Sequence, residues 1–450
     1  MRGRYEGNIM RYLFLRGNRN KRFFIDIANE LNKRGHQCYQ LQFELGELIV
    51  PTGTLKTVFA PWHISKEEYP ISNQQLLAMQ IYNIAFTERI LKKSITEKEL
   101  QMYKRYMYYI DTFIEKHQID IICMFNGYHW IDQTATFIAK KRGLKTYYFE
   151  DGLFRPYTIT VDPKGINDES SVPRSPDFYD SLPIDKERLK HHLFTPENKD
   201  LIYTKENLLK VAFVKGLSML GNFLNISPTL YVHTTFWQSV KYVFFKYRFK
   251  YQKADELNLA SDYIFIPFQV SRDTQIFYNS PNISSMEQLL DIAFHAVNEV
   301  NNELNRNIKI IVKEHPEDMS RNNYRDLKEK YKNNNKVIFV EKYNIKQLIK
   351  HALIVLTINS TAGIEALAQY KKVVTMGNAL YNIQGIAFHC ETPDRLKNVL
   401  TSAINSQYNL NRIEKFIYYL RFDYQVEGTI NRTSNVTAIN VANKMEEGRE

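Results

Sequence analysis

Four short segments carry the side chains whose types and spacing could do chemistry. In "KTYYFEDGLFRP" (residues 145–156) a β-rich run stops at two adjacent carboxylates, Glu150 and Asp151, followed by Gly152 and then Arg155. At the carboxyl end of a buried strand such a pair looks like part of an active site. "PFQVSRDTQIFYNS" gathers Gln269, Arg272, Asp273 and Gln275 in one loop. An Asp among arginine and amide neighbours stays ionised and can act as a nucleophile or orient a base; the alternative is an ordinary turn Asp. "IVKEHP" places Lys313 and His315 on one side of a strand exit by the period-two alternation of strands. "LTINSTAGIEAL" ends an apolar strand, offers Ser360 and Thr361, and starts a helix with Glu365 in its first turns. Helix-start N–H groups beside two hydroxyls make an anion site, although Ser and Thr also cap helices for local reasons.

The elements that must position these segments alternate. "RYLFLRG" reads as a buried strand, "KRFFIDIANELNKRGH" as a helix with Phe24, Ile27, Ala28 and Leu31 on one face and Gly35 as its stop, and "QCYQLQF" as the next strand. One or two long helices are expected over residues 74–118. "DIICMF", "DQTATFIAKKRG" and "KTYYF" then give strand, helix and strand. The alternation predicts a parallel sheet covered by helices, in which ligands collect at the carboxyl ends of strands.

Residues 165–255 break the pattern. A loop with three prolines, "SSVPRSPDFYDSLPID", precedes "NLLKVAFVKGLSMLGNFLN" and "TTFWQSVKYVFFKYRFKYQK", both apolar and basic and both expected to be helical. Two readings stay open for them: core helices with a solvated basic side, or helices lying in a membrane interface. A second alternating half begins near Asp262. Strands are expected at "YIFIPFQV", "IKIIVKEHP", "KVIFVEK", "LIVLTIN" and "KVVTMG", with helices at "SMEQLLDIAFHAVNEVNNEL", "IKQLIKHA" and "STAGIEALAQY". The tail, residues 394–445, reads as helical.

The 450 residues exceed one ordinary core and suggest two domains. The composition, 44% hydrophobic and 24% charged, is that of a globular chain. A net charge of +11 favours an anionic partner: a nucleotide sugar, an anionic membrane face or a nucleic acid. The basic residues are dispersed and no nucleic-acid module stands out, so nucleic acid is set aside. Cys38, Cys123 and Cys390 are far apart and odd in number, which suggests neither a disulfide framework nor a zinc site and fits a reducing setting. His191 and His192 are adjacent rather than four apart, so no metal is expected. The opening residues lack the apolar core of a signal peptide, and no window offers the ~18 consecutive apolar residues of a membrane span. The expected location is the cytoplasm, with any membrane contact peripheral. Rossmann, Walker, kinase and Ser-His-Asp signatures are absent.

Strand-end sites spread over two α/β halves suggest a GT-B-type arrangement, two Rossmann-like domains facing a cleft. The segments "FEDGLFRPYTITVDPKGIN", "QVSRDTQIFYNS", "VKEHP" and "NSTAGIEALAQYKKVVTMGNALYNIQG" follow the order and spacing of the bacterial capsule polysaccharide biosynthesis family, which includes β-Kdo transferases. The opening "FLRGNRNKRFFIDIANELNKRGH" resembles the start of the single-domain, linker-initiating branch that acts on phosphatidylglycerol. The resemblance spans residues 11 to 400 or so. It implies that Asp273 is the catalytic nucleophile and Glu150 the acid/base. It also implies a substrate-binding set of Asp151, Gly152, Arg155, Gln275, Lys313, His315, Asn359, Ser360, Thr361, Gly363, Glu365 and Tyr381, with Ser360, Gly363 and Glu365 holding the CMP part of a CMP-Kdo donor. Glu314 departs from relatives that carry a neutral residue or His there, and residues 378–384 vary, which leaves the donor sugar open.

On this resemblance residues 1–255 form a Rossmann-like acceptor domain carrying the basic-aromatic excursion. Residues 256–400 form a Rossmann-like CMP-sugar domain, and 401–450 cross back to the first. The implied partners are the donor, a lipid or glycan acceptor, the anionic inner-membrane surface and other capsule assembly proteins. The open alternatives are a relative using another nucleotide sugar and glycan acceptor, and a non-catalytic export or assembly adaptor.

Overall fold

The computed structural model describes residues 9–17, 21–201, 207–230, 236–322, 324–430 and 435–448. Residues 18–20 of the opening strand–helix unit and 234–235 at the head of the second basic-aromatic segment lie outside the described residues. The strands, in chain order, are β1 (Arg11–Phe14), β2 (Gln37–Gln42), β3 (Lys56–Phe59), β4 (Ile121–Phe125), β5 (Lys145–Asp151), β6 (Thr158–Asp162), β7 (Tyr263–Pro267), β8 (Lys309–Lys313), β9 (Val337–Val340), β10 (Ile354–Thr357), β11 (Lys372–Thr375), β12 (Phe388–His389) and β13 (Val426–Glu427). They form a seven-stranded sheet, β13-β6-β5-β4-β1-β2-β3, and a six-stranded sheet, β12-β11-β10-β7-β8-β9.

The second sheet is parallel throughout. Its order is that of a doubly wound Rossmann sheet, with the switch point between β7 and β10. The first sheet repeats the order around β1 and β4 and adds two antiparallel strands at one edge. The reason for two-sided coverage is visible in composition. β4 (IICMF), β7 (YIFIP) and β10 (IVLT) are buried at every position, as strands with helices on both faces must be.

The chain divides into two units: residues 1–171, 185–233 and 421–450 in one, 172–184 and 234–420 in the other. These bounds differ from the expected breaks at 255 and 400. The helix Phe236–Tyr251 belongs with the second unit because its end is tied there: Lys342 Nζ donates to the Lys250 and Gln252 carbonyls, and Gln252 Nε2 donates to Glu341. Residues 172–184 go with the same unit through Asp180, which accepts from Arg412, and Tyr179, whose ring meets Phe416 and Tyr419. The tail rejoins the first unit only at Arg421. β13 pairs with β6, and the helix Asn435–Glu447 packs on Arg22–Lys33, with Glu446 accepting from Arg34 and Val441, Ala442 and Met445 entering the core.

Three local differences from the sequence reading have simple causes. Residues 74–118 form three helices, Asn73–Leu77, Tyr82–Arg89 and Glu97–His117, because Ser72 and Thr96 each make a capping box that restarts the chain. β5 runs on through Glu150 and Asp151, beyond its last pairing with β4 at Phe149, because β6 continues to pair with it. The β5–β6 turn closes tightly: a Cβ on Gly152 would lie 2.0 Å from the Thr158 carbonyl oxygen, so only glycine fits there.

Asp162 ends β6 fully buried and accepts from Lys164 N, Gly165 N, Ser171 N, Ser171 Oγ and Tyr424 Oη at 2.7–3.2 Å. It is the knot of the first unit's edge. Asp162→Ala strands these donors and is expected to cost about 3 kcal/mol, read as a lower urea midpoint with unchanged slope. A midpoint equal to the parent's contradicts this.

Candidate active site

The second unit's switch point is held by a buried amide lattice. Gln269, just past β7, donates from Nε2 to Asn359 Oδ1 (2.9 Å) and accepts at Oε1 from Asn359 N (3.1 Å). Asn359, just past β10, donates from Nδ2 to the carbonyls of Gln275 and Asn279, both at 3.1 Å. All four residues are buried. The two strand exits are thereby fixed to one another by side chains about 80–90 positions apart in sequence. Gln275 and Asn359, expected to bind substrate, serve this lattice in the structure.

Asp273 stands at the end of the β7 loop as N-cap of the helix Thr274–Tyr278, its Oδ1 accepting from Gln275 N at 2.9 Å. It is partly exposed. The neighbouring β8 exit is tied to the same loop through Asp318, which accepts from Ser271 N (2.8 Å), Ser271 Oγ (3.1 Å) and Tyr324 Oη (2.8 Å) and donates its own N–H to the His315 carbonyl. Burial pushes the Asp318 carboxyl up, opposed by the Tyr324 and Ser271 hydrogen bonds.

His315 is half-buried, and its proton affinity is lowered by burial, with Lys313 adding to the effect. Glu317, Asp318 and Asp273 oppose it. Its Nδ1 accepts from Glu317 N (3.2 Å). That bond requires a lone pair on Nδ1, so the neutral ring carries its proton on Nε2 and is a hydrogen-bond donor there. Lys313 is lowered by burial and donates to the Glu341 carbonyl at 3.1 Å. Glu314, itself buried, points away from this side to the partly exposed Lys328 at 2.5 Å.

At the β10 exit, Ser360 Oγ accepts from Ala362 N (3.2 Å) and its carbonyl accepts from Tyr381 Oη (2.6 Å). The following helix, Ala362–Ala368, is two turns long and has no side-chain cap from Thr361. A Cβ on Gly363 would lie 2.3 Å from Tyr381 Oη, so glycine is what lets the buried tyrosine reach the Ser360 carbonyl. Tyr381 and Gly363 therefore shape the loop from beneath. Ser360, Thr361 and Glu365 are partly exposed.

In the first unit Glu150 and Asp151 are the last two residues of β5 and so face opposite sides of the sheet. Asp151 is exposed and Glu150 partly buried. Glu150 accepts from Asn126 Nδ2 (2.7 Å) and Asp151 N (3.0 Å). Burial first, and then the Asp151 charge, push its carboxyl up to about 7, while Asn126 and Arg155 pull the other way. A carboxylate that exchanges its proton near neutrality suits general acid/base work. Arg155 Nε donates to the Gly152 carbonyl (3.0 Å), which anchors its stem to the hairpin.

Sequence reasoning missed the support for Glu150. Asn126 (φ 71°) and Gly127 (φ 93°) form the β4 exit. The buried Arg16 at the β1 exit donates to Asp132 Oδ2 at 2.6 Å and to the Phe125 carbonyl. The "FNG" turn, with an asparagine and a glycine in the left-handed region, was the available signal. Asp318 was missed as well, because its partners lie on another loop. Among the described residues no three His, Cys, Asp or Glu side chains converge as a metal site, and no helix is long and apolar enough to cross a membrane.

The family model for capsule polysaccharide biosynthesis proteins matches residues 120–414. The capsule polysaccharide export protein KpsS of Escherichia coli is 28% identical over 289 residues, 61% of this chain and 71% of that protein. The capsule polysaccharide modification protein LipB of Neisseria meningitidis serogroup A is 27% identical over 304 residues, 63% of this chain and 70% of that one. Protein FixF of Sinorhizobium fredii is 29% identical over 280 residues, and the chain spans about half of its length, 54%. Among solved structures, the β-Kdo 2,7 transferase of Thermosulfurimonas dismutans KpsC aligns over 85% of this chain and 100% of that one at 14% identity, with a TM-score of 0.35.

The electrostatic contact of Asp273 with His315 has a direct readout. In an NMR titration of labelled histidine rings, assigned with His315→Gln, the His315 ring is expected to titrate below the ordinary histidine value. Asp273→Asn is expected to lower it further, because the carboxylate favours the imidazolium. An unchanged His315 titration in Asp273→Asn would separate the two residues.

Proposed function

The chain belongs to the capsule polysaccharide biosynthesis family, and we propose that it is a glycosyltransferase moving Kdo from CMP-Kdo to a phosphatidylglycerol-type lipid or linker hydroxyl with retention of configuration. The supporting observation is that Asp273, His315 and Ser360 stand at three carboxyl strand ends of one parallel sheet, around its switch point, the place where doubly wound sheets hold nucleotides.

In this reading Asp273 attacks the anomeric carbon. A carbon–oxygen bond forms to its carboxylate, and the bond to the phosphate of CMP breaks, CMP leaving with the electron pair. His315 Nε2–H donates to the leaving phosphate, and Lys313 adds its positive charge to the local field. Ser360 and Glu365 hold the nucleotide, Ser360 by its hydroxyl and Glu365 at the ribose. Glu150 then takes the proton of the acceptor hydroxyl, whose oxygen displaces Asp273. Two inversions give net retention, by the logic of retaining glycosidases. Arg155 and Asp151 flank the acceptor side, with Asp151 also setting the proton affinity of Glu150. The leaving charge is met by side chains, so the reaction runs without a metal ion.

Purified protein, CMP-Kdo and a short-chain phosphatidylglycerol test this by mass spectrometry of the product. Transfer is expected in the presence of EDTA and is expected to fall at least about 10³-fold in Asp273→Ala. The rate is expected to rise with pH through about 7, since Glu150 must be ionised to accept the proton. Asp151→Asn removes the repelling charge, so the rise moves to lower pH. Transfer from another nucleotide sugar but not CMP-Kdo would reassign the donor. No transfer from any donor would favour an adaptor role.

A further inference from the structure

Between Glu206 and Asp255 lie 48 residues without an acidic side chain and with seven lysines and arginines. Two helices come from this stretch, and each leaves an apolar stripe in solvent. In Phe236–Tyr251 the stripe is Trp237, Val240, Phe244, Tyr247 and Tyr251, exposed by 76, 45, 62, 66 and 65%. Spacings of three and four place these on one face. The opposite face is partly covered, with Phe249 half-buried under Lys342, and just past the helix end Gln252 bonds Glu341. Lys241, Arg248 and Lys250 are exposed on the flanks of the stripe, and Lys246 is exposed further round the helix. In Leu208–Phe223 the exposed positions Leu209, Phe213, Leu220 and Phe223 fall on one face, continued by Leu224, with Phe223 and Leu209 each 82% exposed. The other face of that helix packs on the 3-10 turn Leu45–Ile49, where a Cβ on Gly46 would lie 2.1 Å from the Val214 carbonyl.

We propose that each of these two stripes, on its own unit, is a membrane-docking face that inserts into the headgroup–acyl boundary of an anionic bilayer. Trp, Phe, Tyr, Leu and Val on one face, lysine and arginine beside them and no acid anywhere in the stretch are the composition that this boundary selects. Charge also argues against a second copy as the occupant. Two such faces pressed together would set lysines and arginines against lysines and arginines with no acidic partner in the stretch. Phe236–Tyr251 packs against the turn Asp318–Ser320, the turn whose Asp318 ties the β7 and β8 exits. The Phe236–Tyr251 helix thus rests on the element that holds the Asp273 and His315 loops.

The test measures vesicle binding and involves no sugar transfer, so it stands apart from the proposed reaction. The full chain is floated with phosphatidylcholine vesicles containing phosphatidylglycerol and with phosphatidylcholine alone, at low and high salt. Flotation with the anionic vesicles, a blue shift of tryptophan emission and loss of binding at high salt are expected. Phe244→Ser with Tyr247→Ser, and separately Phe213→Ser with Phe223→Ser, should each weaken partition about tenfold or more. Lys241→Glu with Arg248→Glu should do the same for anionic vesicles only. All these side chains are exposed, so circular dichroism and the melting temperature should stay at parent values. Absent flotation of the parent chain, or parent-like flotation of all variants, overturns the proposal. So does a dimer that the serine substitutions split while vesicle binding persists.

Discussion

The buried amide lattice of Gln269, Asn359, Gln275 and Asn279 is the constraint on which the second unit's site depends. A parallel sheet leaves its carboxyl strand ends as loops, and loops on their own wander. Here two exits, one on each side of the switch point, are bonded to each other through buried side chains. Each such bond adds only about 1 kcal/mol, but a buried amide robbed of its partner costs about 1–3 kcal/mol. The lattice therefore holds one geometry far more firmly than its summed strength suggests. Asp318 extends it sideways to β8, and Tyr381 presses up on the Ser360 turn through the space that Gly363 leaves. Asp273 and His315 inherit their positions from this frame.

The first unit solves a different problem, that of keeping a carboxyl close to neutrality. Glu150 lies past the end of its pairing with β4, where Asn126 can still reach it and water reaches it only in part. Burial and Asp151 raise it; Asn126 and Arg155 restrain the rise. The doubled carboxylate is thus a pair with unequal parts, one exposed and repelling, one half-buried and poised. The proposed chemistry uses that inequality, with Glu150 exchanging the proton and Asp151 tuning it.

Much of this was legible in the sequence because it is local. Apolar runs such as "IICMF" and "YIFIP" read as buried strands, and Gly35 and Gly143 mark helix ends. The four chemical segments sit at strand ends as read. What was not legible is what depends on distant partners. Asn359 and Gln275 have the residue types of ligand-binding groups, and nothing in their neighbourhood reveals that they bond each other's loops. β6 was missed because "TITVD" follows a proline-containing turn and pairs antiparallel with a strand thought to have ended. The two basic-aromatic helices were ambiguous because a core-facing stripe and a solvent-facing stripe share the same three-and-four spacing. Only the exposure of Trp237 and Phe244 separates them.

The most direct measurement for the catalytic account is the intact mass of the protein mixed with CMP-Kdo in the absence of acceptor, followed by peptide mapping. The account predicts a covalent adduct of one Kdo residue on Asp273 with release of CMP, and no adduct in Asp273→Asn. An adduct on another residue, or full transfer by a protein that never carries one, would contradict it.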